Sequence, residues 1–400
     1  MTDNAKSPIL SKNVSSSIGL EPPLRFPGFE GEWEKKILSD VAYYGKSRHT
    51  VCKSDYVSTE NMLQDFRGIC RYTTSEKIAG IEFEKQNLLL ANIRPYLKKV
   101  WFANFSGAAS TDVLVLKATT IVPGFLKHII ANESFISYVM SAVKGSKMPR
   151  GDKSHILNYT LGMPCHDEQQ KIADFLSLVD ERIEKQRQLV EVLKRYKRGL
   201  FSSVYLAKQA DWERVCLGDF SKVSGGYAFD SKTYTESGKY SVLTIGNVSG
   251  DRYVEIDGCN KVNHIPVDIQ QYQILQPNDL VISMTGNVGR VSIVNQNDCL
   301  LNQRVAKLDI MDSIIREYVY QVLSCSNFEQ EMNNVGQGAA QKNIKNSDIE
   351  HFGFCVPKDK KELQTVVSML LGIDNTILKQ EKILVNLAHS KQALLQQMFI

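Results

Sequence analysis

Apolar residues recur at steps of three and four along two stretches of the chain, the spacing of a helix that buries a narrow stripe against another helix. We call each stripe a seam. In both seams two of the positions are polar, one a glutamine and one a lysine. The first seam consists of Ile172, Leu176, Val179, Ile183, Gln186, Val190, Leu193 and Lys197, and the second of Val366, Leu370, Ile373, Ile377, Gln380, Leu384, Leu387 and Lys391.

The two seams are copies of one another. A shift of 194 residues superposes every position, the glutamines and lysines included. Polar residues in a seam cost stability but specify register and partner. The repeat therefore predicts that the helices pair as an antiparallel coiled coil, with Gln186 nearer Lys391 and Gln380 nearer Lys197. The alternative is that each helix packs only on its own domain.

The segments that precede the helices repeat as well. GEWEKKILSDV matches ADWERVCLGDF, with Trp33 aligned on Trp212. LLLANIRPYLKKV, from Leu88, matches DLVISMTGNVGRV, from Asp279. Both members of the second match indicate two strands joined by a turn. Between these matched segments the halves differ freely, so a common frame carries divergent insertions.

We therefore predict an α+β fold with an internal pseudo-twofold repeat, in which two long helices separate two similar globular domains, mostly β with some helices. A helix from about Glu168 to Tyr205 would be roughly 55 Å long at 1.5 Å per residue. The predicted boundaries are a flexible tail over 1–23, a first globular domain over 24–160, a central spacer helix over 161–208, a second globular domain over 209–354 and a C-terminal spacer helix over 355–400.

Composition narrows the class of protein. The 400 residues are too many for one core, and 43% hydrophobic with 23% charged residues is typical of a globular protein. The sequence contains no apolar run of about 18 residues and no secretory signal pattern. The eight cysteines are scattered, which disfavours structural zinc and disulfides and predicts a cytoplasmic location. The net charge of +4 permits nucleic acid as a partner without requiring it.

The globular segments contain hydrogen-bond donors in turns instead of enzyme motifs. The sequence has no phosphate-binding loop, HExxH or GxSxG motif, and no catalytic residue or metal ligand is predicted. Arg, Lys, Asn and Gln side chains read base edges through paired hydrogen bonds. The alternative is that these are ordinary solvated loop residues. The candidate DNA-binding residues are Lys46, Arg48, Arg94, Tyr96, Lys98, Lys99, Lys147, Arg150, Lys153, Tyr227, Asn247, Thr285, Asn287, Arg290, Gln303, Arg304, Gln337, Gln341, Lys342 and Asn343.

The order of these parts resembles one known family. The start LRFPGFEGEW, the two domains headed by tryptophan, and PCHDEQQKIADFLSLVDERI from Pro164 to Ile183 are similar to the specificity subunit of type I restriction–modification systems. In the second copy of the last motif, Glu362-Leu363 replaces the Glu-Gln pair. The resemblance covers nearly the whole chain after residue 23.

The resemblance implies a function that the repeat alone does not. In that family each target-recognition domain reads one half of an asymmetric, two-part site on double-stranded DNA. The helices set the half-site spacing and dock two methyltransferase subunits, and restriction/translocase subunits join the assembly. S-adenosylmethionine, ATP and Mg²⁺ belong to those partners, so this chain is expected to hold no cofactor and to contact no membrane.

Two other functions remain compatible with the residues. One is a protein–protein scaffold that has two heads and a coiled coil but no DNA specificity. The other is a nuclease or methyltransferase with degenerate motifs. The base sequence that either domain reads does not follow from the side chains.

Overall fold

The computed structural model describes residues 21–143, 145, 148–325, 327–335 and 343–399. The chain divides into two compact units, residues 1–185 with 384–400 and residues 186–383. We call the globular part of the first unit head 1 and that of the second unit head 2. Most of the predicted tail, residues 1–20, lies outside the described residues.

Head 1 is built from short strands and short helices. Its helices are α1 (Leu38–Val41), α2 (Pro123–Ile130), α3 (Glu133–Ser141) and α4 (Lys153–Leu157). Its strands are β1 (Glu34–Ile37), β2 (Ala42–Tyr44), β3 (Arg48–Cys52), β4 (Tyr56–Val57), β5 (Lys77–Phe83), β6 (Leu88–Ala91), β7 (Val100–Phe102), β8 (Gly107–Ala109), β9 (Val113–Ala118) and β10 (Thr160–Met163). The long helix α5 (His166–Lys208) follows, and its residues up to 185 belong to this unit.

Head 2 has a similar order of elements. Its strands are β11 (Glu213–Cys216), β12 (Lys222–Gly225), β13 (Tyr240–Leu243), β14 (Asn260–Val262), β15 (Ile274–Leu275), β16 (Leu280–Ser283), β17 (Val291–Ile293), β18 (Cys299–Leu301), β19 (Val305–Asp309) and β20 (Gly353–Val356). Its helices are α6 (Ser313–Cys325), α7 (Phe328–Val335) and α8 (Asn346–Glu350). The second long helix is α9 (Lys360–Met398), whose residues from 384 belong to the first unit.

The sheets show which parts of the frame repeat. In head 1, β1 pairs with β10, and a four-stranded sheet has the order β2-β9-β6-β7. In head 2, β11 pairs with β20, and the corresponding sheet has the order β12-β19-β16-β17. The second four-stranded sheets differ, with orders β3-β5-β8-β4 and β14-β13-β18-β15. The repeated sheet is the frame, and the differing sheet carries the divergent insertions.

The register of the repeated sheet corrects one alignment from the sequence. Ala91 pairs with Val113 in head 1, and Ser283 pairs with Val305 in head 2. Leu88 therefore corresponds to Leu280 and not to Asp279. The ungapped alignment was wrong at this point because the turn after β6 is one residue longer than the turn after β16.

Each head shares its hydrophobic core with the long helices of its own unit. In head 1, Trp33 and Leu38 belong to one buried cluster with Ile172 and Leu176 of α5 and Met398 of α9. Burial of one such large apolar side chain contributes about 1.5–3 kcal/mol relative to exposure. The helix ends are therefore part of the head, and not a separate stalk.

Head 2 contains the equivalent cluster. Trp212 and Leu217 are buried with Phe201 of α5 and with Leu363 and Leu370 of α9. α9 begins where the Asp359 carboxylate accepts hydrogen bonds from the first free backbone N–H groups of the helix. Each tryptophan thus marks the start of a head and packs on the helices that carry it.

The seam residues lie where the spacing predicts, at positions turned away from solvent. Every seam position of α5 and α9 is buried or half-buried. Gln186 donates from Nε2 to the side-chain oxygen of Gln380 at 2.8 Å and to its backbone oxygen at 3.0 Å. In the second unit Lys197 Nζ lies 2.7 Å from Asp374, which precedes Gln380 on α9, so the helices are antiparallel there. The coiled coil forms as predicted, and the two copies pair with each other.

The predicted partners within the seam were wrong. Gln186 meets Gln380 and not Lys391, and Lys197 meets Asp374 and not Gln380. The physical reason is the charge of the lysine. An amide satisfies its donor and acceptor with another amide, whereas a lysine with little solvent exposure needs a carboxylate to compensate its charge.

The first unit repeats the lysine–aspartate contact at positions shifted by 194 residues. Lys391 Nζ lies 2.6 Å from Asp180, and Lys127 of α2 pairs with the same carboxylate. Burial alone would raise the pKa of Asp180, but Lys391 and Lys127 together hold it below its usual value. Asp180 therefore joins α9 to both α5 and head 1.

The second unit surrounds its aspartate with more partners. Arg252 forms a bidentate ion pair with Glu317, at 2.8 and 2.7 Å, and also reaches Asp374 at 3.0 Å. Burial would lower the pKa of Arg252, but Glu317 and Asp374 outweigh it, so the guanidinium stays charged. The side-chain amide of Gln321 donates to both Glu317 and Asp374 at 2.7 Å. Head 2 is thus held to α9 by a buried polar network.

Candidate nucleic-acid interface

In head 1 the turn between β6 and β7 presents the first group of candidate residues. Arg94 has a left-handed backbone with φ of 52°, and its N–H donates to the Pro149 carbonyl at 2.8 Å. Next to it, Ile93 forms a β-bridge with Arg150. Arg94, Arg150 and the half-exposed ring of Tyr96 therefore lie on neighbouring segments at one edge of the head.

A second group lies beside the first. The Tyr44 hydroxyl donates to the Lys153 carbonyl at 3.1 Å, which brings the end of β2 against the start of α4. Burial raises the pKa of Tyr44, so this phenol stays protonated and able to donate. Lys46 and Arg48 follow Tyr44 and are exposed, as is Lys153. We call the segments 44–48, 93–99 and 148–153 the head 1 surface.

Two lysines of the head 1 surface are engaged within the protein. Lys98 Nζ lies 2.7 Å from Glu133, and Lys99 Nζ donates to the Thr59 carbonyl at 2.6 Å. Their side chains support the turn, and reaching DNA would require breaking these contacts. Lys147 lies outside the described residues.

Head 2 assembles its candidates in the same way. The Met284 N–H donates to the Arg304 carbonyl at 2.9 Å, and Thr285 forms a β-bridge with Asn343. The Gln303 N–H donates to the Tyr227 carbonyl at 2.9 Å. Gln303, Arg304 and Asn343 are exposed. We call residues 227, 285–290, 302–304 and 343 the head 2 surface.

Several candidates of head 2 have structural contacts. The Tyr227 hydroxyl donates to Asp268 at 2.8 Å, and this hydrogen bond raises the pKa of the phenol. Arg290 lies 3.3 Å from Glu329, while Asn287 is exposed. Thr285 is buried. Gln337, Gln341 and Lys342 lie outside the described residues.

Asn247 is a correction to the candidate set. Its side-chain oxygen accepts from the N–H and the hydroxyl of Thr244 at 2.9 and 2.8 Å, and its amide donates to the Glu255 carbonyl at 2.9 Å. The side chain is buried. Asn247 therefore stabilises the turn after β13 and is not a candidate for base contact.

Sequence reasoning missed Asp112 in head 1. Its carboxylate lies 3.2 Å from the Arg150 guanidinium, and both side chains are open to solvent. The sequence criterion was the presence of hydrogen-bond donors such as arginine, lysine and amides, and an aspartate does not meet it. The available signal was its position directly before β9, which corresponds to Arg304 directly before β19.

The described residues give no support for acid–base catalysis by His128, a metal site or a membrane-spanning helix. His128, on α2, is completely buried, and burial lowers its pKa to about 3, so it is a neutral core residue. No three His, Cys, Asp or Glu side chains in the described part of the chain group in a way that could hold a metal ion. None of the described helices is long and apolar enough to cross a membrane.

Comparison with known families shows which protein family the chain matches. The family model described as the type I restriction modification DNA specificity domain matches residues 30–195 and again residues 209–387. The two matches together span well over half of the chain. The chain belongs to this family.

Relatives of the DNA specificity family cover most of the chain. The MjaVIII specificity subunit of a type I restriction enzyme of Methanocaldococcus jannaschii is 24% identical over 86% of this chain and 87% of its own length. The MjaIX specificity subunit of the same organism is 23% identical over 70% and 68%. The crystal structure of a type I restriction–modification S subunit from M. genitalium covers 95% of this chain and 99% of its own, with a TM-score of 0.56 and 14% identity.

Membership of the DNA specificity family confirms the main predictions from the sequence. The family itself, the α+β fold with two repeated domains and long helices, and a DNA-specificity subunit in place of an enzyme are all confirmed. The family match favours a DNA-specificity subunit over the rival assignments as a scaffold or as a degenerate enzyme. The individual DNA contacts remain predictions.

Proposed function

We propose that each head reads one half of an asymmetric, two-part site on double-stranded DNA through the surface defined above. The observation that carries this proposal is that the two heads share one backbone arrangement at these surfaces but place different side chains on it. The segments that meet in head 1 have counterparts that meet in head 2, yet Arg94 corresponds to Gly286 and Arg150 to Asn343. A common frame with different donors suits two readers of different sequences.

The long helices are proposed to set the half-site spacing and to dock two methyltransferase subunits. α5 has 43 residues, roughly 65 Å at 1.5 Å per residue. Outside the seam, α5 has three exposed apolar residues that follow one another at steps of three and four and so lie on one side of the helix. They are Leu189, Val192 and Tyr196, which are 42%, 49% and 58% exposed. An exposed apolar row on a helix already paired through another face fits a partner helix.

The remaining partners and cofactors follow from this role. We propose that restriction/translocase subunits join the assembly in the cytoplasm, and that S-adenosylmethionine, ATP and Mg²⁺ are held by the partner subunits. The proposed domain limits are those predicted from the sequence, with heads over 24–160 and 209–354 and spacer helices over 161–208 and 355–400. The chain's own contribution is to choose the DNA sequence and to position the partners on it.

A domain exchange tests independent reading by the two heads. Residues 31–145 are replaced by the corresponding segment of another family member, and methylated positions are mapped in a genome that expresses the chain with its methyltransferase subunit. We expect one half of the methylated site to change and the other to stay. The matched control replaces the corresponding segment of head 2 and should change the opposite half. An exchange that alters both halves would contradict independent reading.

A further inference from the structure

In each head one residue just past the end of a frame strand is hydrogen-bonded on both sides. The Asn92 N–H donates to the Asp112 carbonyl at 2.8 Å, and the Gly151 N–H donates to the Asn92 carbonyl at 3.1 Å. In head 2 the Met284 N–H donates to the Arg304 carbonyl at 2.9 Å. The Ile344 N–H donates to the Met284 carbonyl at 3.1 Å. The same three segments therefore meet in the same register in both heads.

This register places two exposed side chains beside each other across the middle segment. In head 1 they are Asp112 and Arg150, whose carboxylate and guanidinium are 3.2 Å apart with side chains 39% and 58% exposed. In head 2 the same two positions hold Arg304 and Asn343, both exposed. Hydrogen bonds of the backbone fix these positions, so a change of side chain leaves the frame intact.

We propose that these two positions form a base-reading pair in each head, in which Arg150 contacts a guanine in head 1 and Arg304 and Asn343 contact a guanine and an adenine in head 2. Arginine binds the O6 and N7 atoms of guanine through two hydrogen bonds, and asparagine binds N6 and N7 of adenine in the same way. The inference rests on the proposed function and names the part of each surface that specifies bases.

Asp112 acts as a positioning residue for Arg150. A free arginine loses side-chain entropy when it is fixed against a base. The ion pair with Asp112 restricts the guanidinium before DNA arrives, while enough of the guanidinium stays exposed to reach a base edge. Head 2 has no carboxylate at this position, because Arg304 occupies it, so each head reads with a different pair on the same frame.

Three other cations on these surfaces contact groups of the protein outside the base-reading pairs. Lys98 pairs with Glu133, Lys99 donates to a backbone carbonyl, and Arg290 pairs with Glu329. Lysine is also a point charge that suits phosphate better than the paired acceptors of a base. Arginine and asparagine, the residue types of the base-reading pairs, offer the paired hydrogen-bonding groups that match a base edge.

The test exchanges the pairs between the heads. The double variant D112R/R150N gives head 1 the pair of head 2, and R304D/N343R makes the reverse change. Each full-length chain, assembled with its methyltransferase subunit, selects from a library of random-sequence duplexes, and the selected two-part site is read by sequencing. We expect D112R/R150N to change base preference at one or two positions of one half-site, on the order of tenfold or more, and R304D/N343R to change only the other half.

Two further variants make the result decisive. Arg150→Lys keeps the charge but loses the two-bond fork, so we expect the guanine preference to fall even if the double variant folds poorly. Lys46→Ala, on the same surface, is expected to weaken binding for all sequences and to reduce its salt dependence without changing base preference. Circular dichroism melting checks the fold of each variant.

The outcomes separate this inference from the proposed function. A wild-type chain that selects a two-part site, together with a folded D112R/R150N or Arg150→Lys variant that selects the same site unchanged, overturns the base-reading pair and leaves the proposed function standing. A wild-type assembly that selects no sequence at all overturns the proposed function. A preference that moves only in the half-site of the altered head supports both.

Discussion

At the scale of single residues, Arg94 has a backbone conformation that its side chain disfavours. Its φ of 52° is left-handed, and the corresponding Gly286 has a φ of 71°. A residue with a Cβ loses about 1 kcal/mol or more in this region, and glycine does not. Head 1 retains an arginine where head 2 has the residue that fits the backbone, which supports a role for the Arg94 side chain in binding.

This strain gives the prediction for Arg94→Gly. We expect the variant to be more stable to denaturant by about 1 kcal/mol, because the backbone strain is removed. DNA affinity should nevertheless fall, and the slope of affinity against salt should decrease by about one phosphate contact. Chemical denaturation and binding titrations over a range of salt concentrations measure the two effects.

The matched control is Gly286→Ala in head 2. The backbone of residue 286 is left-handed, which disfavours any residue with a Cβ, and the added Cβ would lie 3.3 Å from the side chain of Ile245. We therefore expect a loss of stability of about 1 kcal/mol. An Arg94→Gly variant that loses stability, or that binds DNA as the wild type does, would contradict the role assigned to Arg94.

Residue chemistry explains which candidates the sequence could reveal. Glycine, arginine and asparagine in turns pointed to both surfaces, and the structure brings Arg94 and Arg150 together as that reasoning requires. Asn247 has the same composition signal but is buried, since its amide closes a turn. Asp112 was missed because an acceptor matters here only through the arginine beside it, and that contact joins residues distant in sequence.

At the scale of elements, the seam was predictable and its partners were not. Heptad spacing fixes which face of a helix is buried, and every seam residue is indeed turned away from solvent. Register depends on which polar side chains satisfy each other, and that requires the reach of each side chain in three dimensions. The one-residue difference between the turns after β6 and β16 was hidden for a similar reason, because strand pairing and not local sequence reveals it.

The glutamine pair gives the prediction for the seam. Gln186→Leu or Gln380→Leu alone leaves one amide of limited exposure without its partner, at a cost of about 1–3 kcal/mol. The double variant removes both amides, so we expect stability at or above that of the wild type together with a loss of unique register, seen as additional oligomers. Denaturation gives the free energies, and sedimentation gives the oligomeric states.

Additivity is the control for the glutamine prediction. Two single losses that simply add in the double variant would show that the amides do not interact. A double variant that keeps one oligomeric state and normal assembly with its methyltransferase subunit would show that the pair does not specify register.

At the scale of the whole molecule, helix length is proposed to set the gap between half-sites. Four residues inserted between Glu184 and Lys185 add about one turn, roughly 6 Å. Because DNA rises about 3.4 Å per base pair, we expect the same two half-sites with a gap longer by about one or two base pairs. Genome-wide mapping of methylated positions measures the gap, and an active variant with an unchanged gap would contradict the proposal.

The compensating insertion follows from the observed seam. Gln186 lies opposite Gln380 in an antiparallel pair, so Lys185 and Glu184 lie opposite Glu381 and Lys382. The matching insertion therefore belongs between Glu381 and Lys382. An insertion between Leu378 and Lys379, the simple 194-residue counterpart, would instead separate Gln380 from Gln186. A single-residue insertion serves as the control, since it rotates the helix by about 100° and should abolish activity.

The polar contacts of the seam also bear on the order of the two proposed half-sites. Gln186 and Gln380 are the same residue in two copies, and each lysine–aspartate contact of the seam recurs 194 residues along the chain. These three polar contacts of the seam are therefore the same whether they are viewed from α5 or from α9. If each head reads one half-site as proposed, we expect an exchange of the base-reading side chains between the heads to exchange the two half-sites and to leave these helix contacts unchanged.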